Sequence, residues 1–128
     1  MTKSSESNNE KSVILFVEDD STVCEVCEEY LTANGFEVLI AYCAEEALEI
    51  LSETRVDLVV TNIHMPGMNG LDFTGLIKVL YDIDVIVQTG YRESFSREDA
   101  ISAGAADFFY KPVKLKDLLC IISRILNK

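Results

Sequence analysis

Hydrophobic positions along the chain follow two alternating patterns. Five short runs are rich in β-branched and aromatic residues, which favours β-strands. These runs are 13–17, 36–42, 57–61, 84–89 and 107–110. The segments between them repeat their apolar residues at the spacing of one helix face, which predicts helices.

Four of the predicted helices have an apolar stripe that is expected to face a core. The stripes consist of Val23, Val26, Cys27, Tyr30 and Leu31; Ala44, Ala47, Leu48 and Leu51; Phe73, Leu76, Ile77 and Leu80; and Leu115, Leu118, Leu119, Ile122 and Leu126. The remaining helix, within 94–104, has the poorest stripe: Phe95, Ala100, Ile101 and Ala103. Gly35 and Gly104 follow helical segments, where a left-handed residue commonly ends the helix.

Five strands that alternate with five helices predict an α/β domain with a parallel sheet. The first, third and fourth strands are almost continuously apolar, which is typical of strands covered on both faces. Right-handed crossovers then place helices on both sides of the sheet, in three layers. Ligands of such sheets bind beyond the carboxyl ends of the strands, so the residues that follow each strand are the candidates for function.

Length and charge exclude some functions. The 128 residues indicate one domain, with a flexible polar tail at 1–12 and the folded domain at 13–128. No apolar run is as long as a membrane span, and the first residues lack the apolar core of a signal peptide. We therefore expect a cytoplasmic protein without a membrane partner. The formal net charge of −11 argues against a nucleic-acid partner.

The cysteines offer one further motif. Cys24 and Cys27 form a CxxC pair within a predicted amphipathic helix. A zinc site would need a second such pair or clustered histidines, and His64 is the only histidine of the chain. Buried, reduced thiols are therefore favoured over a metal or redox role.

Polar residues follow four of the five predicted strands. They are Glu18, Asp19 and Asp20 after the first strand, Asn62 at the third, Thr89 at the fourth and Lys111 at the fifth. Gly90 follows Thr89, and Pro112 follows Lys111. A parallel sheet brings these strand ends to one edge. Carboxylates, an amide, a hydroxyl and an ammonium group are therefore expected to lie close together.

The predicted cluster suits a phosphoryl group accompanied by a divalent cation. Mg²⁺ prefers one or two carboxylates plus water, which Glu18 and Asp19 could supply. Lys111 would neutralise phosphoryl oxygens, and Thr89 would donate its hydroxyl to another oxygen. The cluster lacks a nucleophile, because an Asp in place of Asn62 could attack phosphorus whereas an amide cannot.

Four segments of the chain point to one family: VILFVEDD, DLVVTNIHMPGMNG, VIVQTG and FFYKPV. In this order and at this spacing they closely resemble the receiver domain of two-component response regulators, in particular chemotaxis-regulator-like receivers. The resemblance covers residues 13–127. It implies a flavodoxin-like (βα)5 fold with strand order 2-1-3-4-5. It also implies Mg²⁺-dependent transfer of a phosphoryl group from a sensor kinase histidine to an Asp.

The resemblance also implies a metal role for three residues. Asp19 matches the acidic residue that contacts the metal directly, and Glu18 matches its neighbour, which usually acts through water. His64 would offer only its backbone carbonyl to the metal.

Further residues match the switch and the phosphate-binding positions. Thr89 matches the switch hydroxyl, and Lys111 matches the phosphate-binding lysine. Phe108 occupies the aromatic switch position, where without a hydroxyl its signal would come from rotamer packing alone. The bond from Lys111 to Pro112 matches one that is cis in the family.

Asn62 departs from the family pattern, in which this position holds the phosphoacceptor Asp. In one interpretation the Asp of a working receiver was replaced by engineering, and in a second the chain is a natural pseudo-receiver, a phosphorylation-independent interaction module. In a third, Asn62 is structural and the domain has another function. The other four site positions are intact, which counts against the second and the third interpretations, and the third has the least support. A Mg²⁺-dependent phosphatase is also disfavoured, since it too would need a nucleophilic Asp. We expect this form to be unphosphorylated, to bind Mg²⁺ more weakly and not to be an enzyme.

The resemblance also implies partners. These are a sensor histidine kinase or a phosphotransfer protein, and a downstream protein at the α4–β5–α5 face, which is the surface of the predicted segments 94–104, 107–110 and 115–126. A homodimer is a further expectation. We expect no output domain that binds DNA within 128 residues, so the chain is either a stand-alone regulator or a fragment of a longer one.

Overall fold

The computed structural model of the protein describes residues 11–91 and 94–127. Its elements are β1 (Val13–Val17), α1 (Ser21–Ala33), β2 (Glu37–Ala41), α2 (Ala44–Glu53), β3 (Leu58–Asn62), α3 (Gly70–Leu80), β4 (Asp84–Thr89), α4 (Arg97–Ser102), β5 (Asp107–Tyr110) and α5 (Leu115–Leu126). Residues 1–10 of the predicted tail lie outside the described residues. At the end of that predicted tail, the carbonyl of Ser12 accepts a hydrogen bond of 3.0 Å from the amide of Glu37.

The strands form one parallel sheet in the order β2-β1-β3-β4-β5. The predicted α/β, flavodoxin-like fold is confirmed. Because β1 pairs with both β2 and β3, the strand order reverses at β1. This reversal places the ends of β1 and β3 where ligands of open α/β sheets bind.

The core lies on both faces of the sheet, as the continuous apolar strands predict. On one face α2, α3 and α4 bury residues such as Leu51, Phe73 and Ala100. On the other face α1 and α5 bury residues such as Leu31 and Ile122. The two helix layers hold the sheet between them, so the strand ends are positioned rigidly.

Local chemistry fixes the helix ends that border the carboxyl edge of the sheet. Asp20 caps α1, because its side chain accepts hydrogen bonds from the amides of Thr22 and Val23 at 3.0 and 3.3 Å. Asn69 caps α3 in the same way, at 2.9 Å from two amides. At the opposite edge, Gly35 and Gly104 have φ angles of +94° and +107°, as their places after helices predict.

Three residues of the predicted apolar stripes, Val26, Leu80 and Ile101, are exposed rather than buried. Leu80, at the end of α3, is 56% exposed. Val26 is 48% exposed, and the buried face of α1 is instead formed by Cys24, Cys27 and Leu31. Ile101 is 47% exposed on α4, where Ala100 is the buried residue. Neighbouring spacings of three and four residues both satisfy a helical period, so the spacing alone does not decide which stripe faces the sheet.

No helix within the described ranges is both long enough and apolar enough to cross a membrane.

Candidate functional site

A cavity of about 770 Å³ opens at the carboxyl edge of the sheet. Residues from the ends of four strands and from the loops that follow them line it. They are Glu18, Asp19, Asp20, Asn62, His64, Met65, Pro66, Asn69, Gln88, Thr89, Gly90, Tyr91 and Lys111. The structure thus brings together Glu18, Asp19, Asn62, His64, Thr89 and Lys111, all of which the sequence singles out.

Glu18 is the most constrained charged residue of the cavity. Its side chain is 2% exposed, and one carboxylate oxygen lies 2.6 Å from Nζ of Lys111. The other oxygen accepts the amide of Asp20 at 3.1 Å. Its backbone carbonyl accepts a hydrogen bond from Sγ of Cys24. Both carboxylate oxygens of Glu18 are therefore already bonded within the protein.

The other two carboxylates at the end of β1 differ in role. Asp19 is exposed at the cavity, whereas Asp20 uses its side chain as the cap of α1. Asp19 is therefore the carboxylate that remains free to meet a ligand, since none of the described contacts engages its side chain.

Asn62 lies at the last position of β3 and is buried, with 5% of its surface exposed. Its Oδ1 atom has no hydrogen-bond partner among the described residues. The next amide, that of Ile63, donates to the carbonyl of Gln88 at 3.0 Å and continues the pairing of β3 with β4. The strand end therefore holds Asn62 firmly while its side-chain oxygen is left without a donor.

Gly70, the first residue of α3, allows the loop after β3 to close. Its amide donates to the carbonyl of Ile63 at 2.7 Å. A Cβ atom at this position would collide with the backbone of Asn62 and Ile63. Only glycine lets the start of α3 approach the end of β3 so closely.

β4 and β5 supply the hydroxyl and the ammonium group. Thr89 is buried, and its Oγ1 accepts the amide of Tyr91 at 3.1 Å. The amide of Lys111 donates to the carbonyl of Thr89 at 2.7 Å, which continues the strand pairing. The Lys111–Pro112 peptide bond is cis. Apart from its chain neighbours, none of the described residues has an atom within 4 Å of a Cβ built on Gly90, so the described part of the cavity is open there.

Gln88 is a cavity residue that the sequence reasoning missed. It is 1% exposed, and its Oε1 atom has no hydrogen-bond partner among the described residues. Gln88 and Asn62 are register partners on adjacent strands. The sequence does contain a sign of this residue, because the polar Gln88 directly follows the apolar run VIV of the strand DVIVQT.

Aromatic rings lie at the rim of the cavity and behind it. The ring of His64 lies 4.1 Å from that of Tyr91 and 5.2 Å from that of Phe95. Phe108 does not line the cavity; it is buried, with its ring 4.9 Å from that of Tyr110. The hydroxyl of Tyr110 donates to the carbonyl of Phe95 at 3.1 Å. A row of aromatic residues therefore joins the rim to β5.

Cys24 and Cys27 lie behind the carboxylates as free, buried thiols. Burial, together with the smaller effect of the Glu18 charge, raises the pKa of each thiol from 9.0 to about 11. Thiols with such a pKa are almost fully protonated at neutral pH and react slowly. This agrees with the structural role that the sequence favours for them.

The cavity offers oxygen atoms to a cation. Within residues 11–91 and 94–127, no three His, Cys, Asp or Glu side chains form a metal-binding group. The carboxylate of Asp19 and the unpartnered Oδ1 of Asn62 are nevertheless oxygen donors of the type that Mg²⁺ prefers.

Comparison with known proteins identifies the family. The family model for the response regulator receiver domain matches residues 14–123. The chain belongs to this family. Among its relatives is the response regulator protein FleR of Pseudomonas aeruginosa, 34% identical over 112 residues, which are 87% of this chain and 24% of FleR. The transcriptional regulatory protein CpxR of Escherichia coli K12 is 30% identical over 90% of this chain and 49% of CpxR.

Solved structures agree with this assignment. The CheY-like receiver domain protein of Methanospirillum hungatei JF-1 superposes with a TM-score of 0.85 at 30% identity, over 92% of this chain and 95% of that protein. The chain spans about a quarter of FleR and about half of CpxR. The match therefore assigns a receiver domain of a two-component system.

Proposed function

We propose that this receiver domain has Asn62 at its phosphoacceptor position and does not accept a phosphoryl group in this form. The observation that supports the proposal is the placement of Asn62 at the end of β3, in the same cavity as Glu18, Asp19, Thr89 and Lys111. These are the residues on which a receiver would rely for phosphoryl transfer.

The chemistry of the amide accounts for the block. A carboxylate attacks phosphorus with an anionic oxygen, and the product is an acyl phosphate. The amide of Asn62 is neutral and has no comparable nucleophile. The other residues of the site can still bind charged groups, but no covalent phosphoryl transfer takes place there. On this proposal the chain is therefore not an enzyme.

Receiver domains generally bind Mg²⁺ at an acidic pocket, and the donor atoms of this cavity fit that ion. Asp19, Oδ1 of Asn62 and the backbone carbonyl of His64 would hold it, with Glu18 acting through water. When bound, Mg²⁺ neutralises negative charge on phosphoryl oxygens. We expect weaker Mg²⁺ binding than in an Asn62→Asp variant, because one anionic oxygen is absent and Glu18 is already paired with Lys111.

Receiver domains interact with histidine kinases or phosphotransfer proteins, and we expect such an upstream partner here. For a downstream partner or a second copy, the α4–β5–α5 face is the proposed surface. Asp107 on β5 ties this face together, because it pairs with Arg97 of α4 at 2.8 Å and with Arg124 of α5 at 3.3 Å. Arg97 also donates to the carbonyl of Phe108 at 3.1 Å.

A natural pseudo-receiver, which binds its partner without phosphorylation, is the second candidate. The pairing of Lys111 with Glu18 favours it, since the cation that would meet a phosphoryl group is already neutralised. In this case Asn62→Asp would not restore phosphorylation.

The two candidates predict different outcomes for one experiment. The Asn62 chain and Asn62→Asp are each incubated with acetyl phosphate and Mg²⁺, and the intact mass is measured. We expect no phosphoryl adduct at residue 62 of the Asn62 chain and an adduct in Asn62→Asp. An adduct at Asn62 would refute the proposal. The absence of an adduct in the Asn62→Asp variant would favour the pseudo-receiver.

Mg²⁺ titration of both proteins provides an independent measurement. Binding can be followed through the amide resonances of Asp19 and His64. Asp117→Asn, which removes an exposed carboxylate on α5 away from the cavity, is the control for a general change in charge. Equal affinities of the Asn62 chain and the Asn62→Asp variant would contradict the expected weakening.

A further inference from the structure

Two buried amide oxygens that have no hydrogen-bond partner among the described residues belong to side chains that line the cavity. Oδ1 of Asn62 and Oε1 of Gln88 belong to residues that are 5% and 1% exposed, and both residues line the cavity. The two residues are register partners on adjacent parallel strands, so their side chains emerge on the same face of the sheet. A buried acceptor without a partner is unfavourable, and a ligand with N–H donors would supply the missing hydrogen bonds.

The charges of the cavity favour a cation over an anion. Three carboxylates and one ammonium group line it, a net charge of −2. The ammonium group of Lys111 is bound to Glu18 at 2.6 Å, and Asp20 is engaged as a helix cap. Asp19 is left as the exposed charge that a ligand meets. An incoming donor group with positive charge therefore gains both hydrogen bonds and Coulomb attraction.

The rim adds a flat aromatic surface. Tyr91 lines the cavity and is 59% exposed, and its ring lies 4.1 Å from that of His64. A guanidinium group is planar, stacks on aromatic rings and carries five N–H donors in a fixed arrangement. An ammonium group has the same charge, but it is not planar and does not hold its N–H donors in this fixed arrangement. The aromatic rim thus distinguishes arginine from lysine.

We propose that this cavity binds the guanidinium group of an arginine side chain from a partner protein. The guanidinium donates to Oδ1 of Asn62 and Oε1 of Gln88, pairs with Asp19 and stacks against Tyr91. The inference rests on the proposed function, because the amide at residue 62 and the neutralised Lys111 are what make the site an acceptor of cations. It assigns a binding chemistry to a receiver that is not phosphorylated.

The probe for this proposal is N-acetyl-L-arginine amide, titrated into the ¹⁵N-labelled protein while the side-chain NH₂ resonances of Asn62 and Gln88 are followed. We expect saturable shifts at both, with an affinity on the order of millimolar for so small a ligand. The matching lysine derivative should bind at least several-fold more weakly. Inorganic phosphate should give no saturable shift at these groups.

Two variants test the residues separately. Gln88→Leu removes one acceptor and should weaken binding about ten-fold or more, with shifts then followed at Asn62. Asp19→Asn changes an exposed residue, which should leave the fold intact, and it should weaken binding several-fold. Asp117→Asn, the matched carboxylate substitution away from the cavity, should bind as the parent does.

Several results would overturn the proposal. They are an absence of saturable shifts in the parent, a phosphate response at the same groups, equal binding of the lysine derivative, or Asp19→Asn binding as tightly as Asp117→Asn. The titration contains no phosphodonor, so its failure leaves the phosphorylation experiment standing. A phosphoryl adduct at residue 62 would likewise be detected by mass alone.

Discussion

Nζ of Lys111 lies 2.6 Å from a carboxylate oxygen of Glu18, whose side chain is almost fully buried. The two residues are 93 positions apart in the chain, so this ion pair ties the end of β1 to the end of β5 across the candidate site. Lys111 is partly exposed, whereas Glu18 depends on Lys111 and on the amide of Asp20 to compensate its charge.

Lys111→Met is expected to destabilise the fold because it leaves the Glu18 carboxylate buried without its cation. We expect the free energy of unfolding to fall by about 3 kcal/mol, the low end for breaking a buried pair, since Lys111 itself reaches solvent. Urea unfolding provides the measurement. Lys116→Met, at an exposed position of α5, should change stability by less than about 0.5 kcal/mol.

The double variant Glu18→Gln, Lys111→Met separates the ion pair from packing. It removes both charges together, so much of the stability lost in Lys111→Met should return. If the single and double variants are equally unstable, the loss comes from packing of the lysine chain rather than from an unpaired carboxylate.

Gly70→Ala is expected to be destabilising although the residue is helical. A Cβ at Gly70 would collide with the backbone of Asn62 and Ile63, which cannot move without breaking the sheet edge. Overpacking of this kind costs about 1–3 kcal/mol or more. Gly90→Ala is the matched control at the same edge, because among residues 11–91 and 94–127 its added Cβ would meet no atom within 4 Å other than those of its chain neighbours. Thermal unfolding of both variants should show a clearly lower Tm for Gly70→Ala alone.

The buried thiols should make the fold less stable in alkaline solution. The pKa of Cys24 and of Cys27 is raised from 9.0 to about 11 in the fold by burial and by the charge of Glu18. Between these values the unfolded chain loses thiol protons first, so this contribution is fully present below pH 9 and is lost as pH rises towards 11.

Urea midpoints at pH 8 and pH 10.5 would check the alkaline effect. The variant Cys24→Ala, Cys27→Ala should start from a lower stability, because each substitution leaves a small cavity, but it should lose less between the two pH values. Cys120→Ala is the control, since Cys120 is exposed. An equal decline in all three proteins would show that other groups govern alkaline unfolding.

The fold was largely predictable because its strands are continuous apolar runs. The bounds of β1, β4 and β5 agree with runs 13–17, 84–89 and 107–110. The strand ends also located the site, since a parallel sheet must gather them at one edge.

Side-chain pairing within the site was not predictable. The sequence shows two adjacent carboxylates at 18 and 19, and only the geometry shows that Lys111 bonds Glu18 and leaves Asp19 free. Gln88 was overlooked for a related reason: a polar residue in a strand becomes informative only when its oxygen is seen to lack a partner. The exposed Val26 and Ile101 show that helical spacing alone does not fix which of two neighbouring stripes is buried.

The amide of Asn62 should persist in solution rather than hydrolyse to Asp. Deamidation proceeds by attack of the following backbone nitrogen on the side chain, and the amide of Ile63 is instead hydrogen-bonded to the carbonyl of Gln88 at 3.0 Å. Ile63 is also fully buried and β-branched, which hinders closure of the five-membered ring. Asn34 is a matched comparison, since it is exposed and precedes Gly35. During incubation at pH 8 and 37 °C, peptide mapping should show a mass increase at Asn34 long before Asn62. Faster conversion at Asn62 would mean that this end of β3 opens readily, and the site would then acquire a carboxylate on ageing.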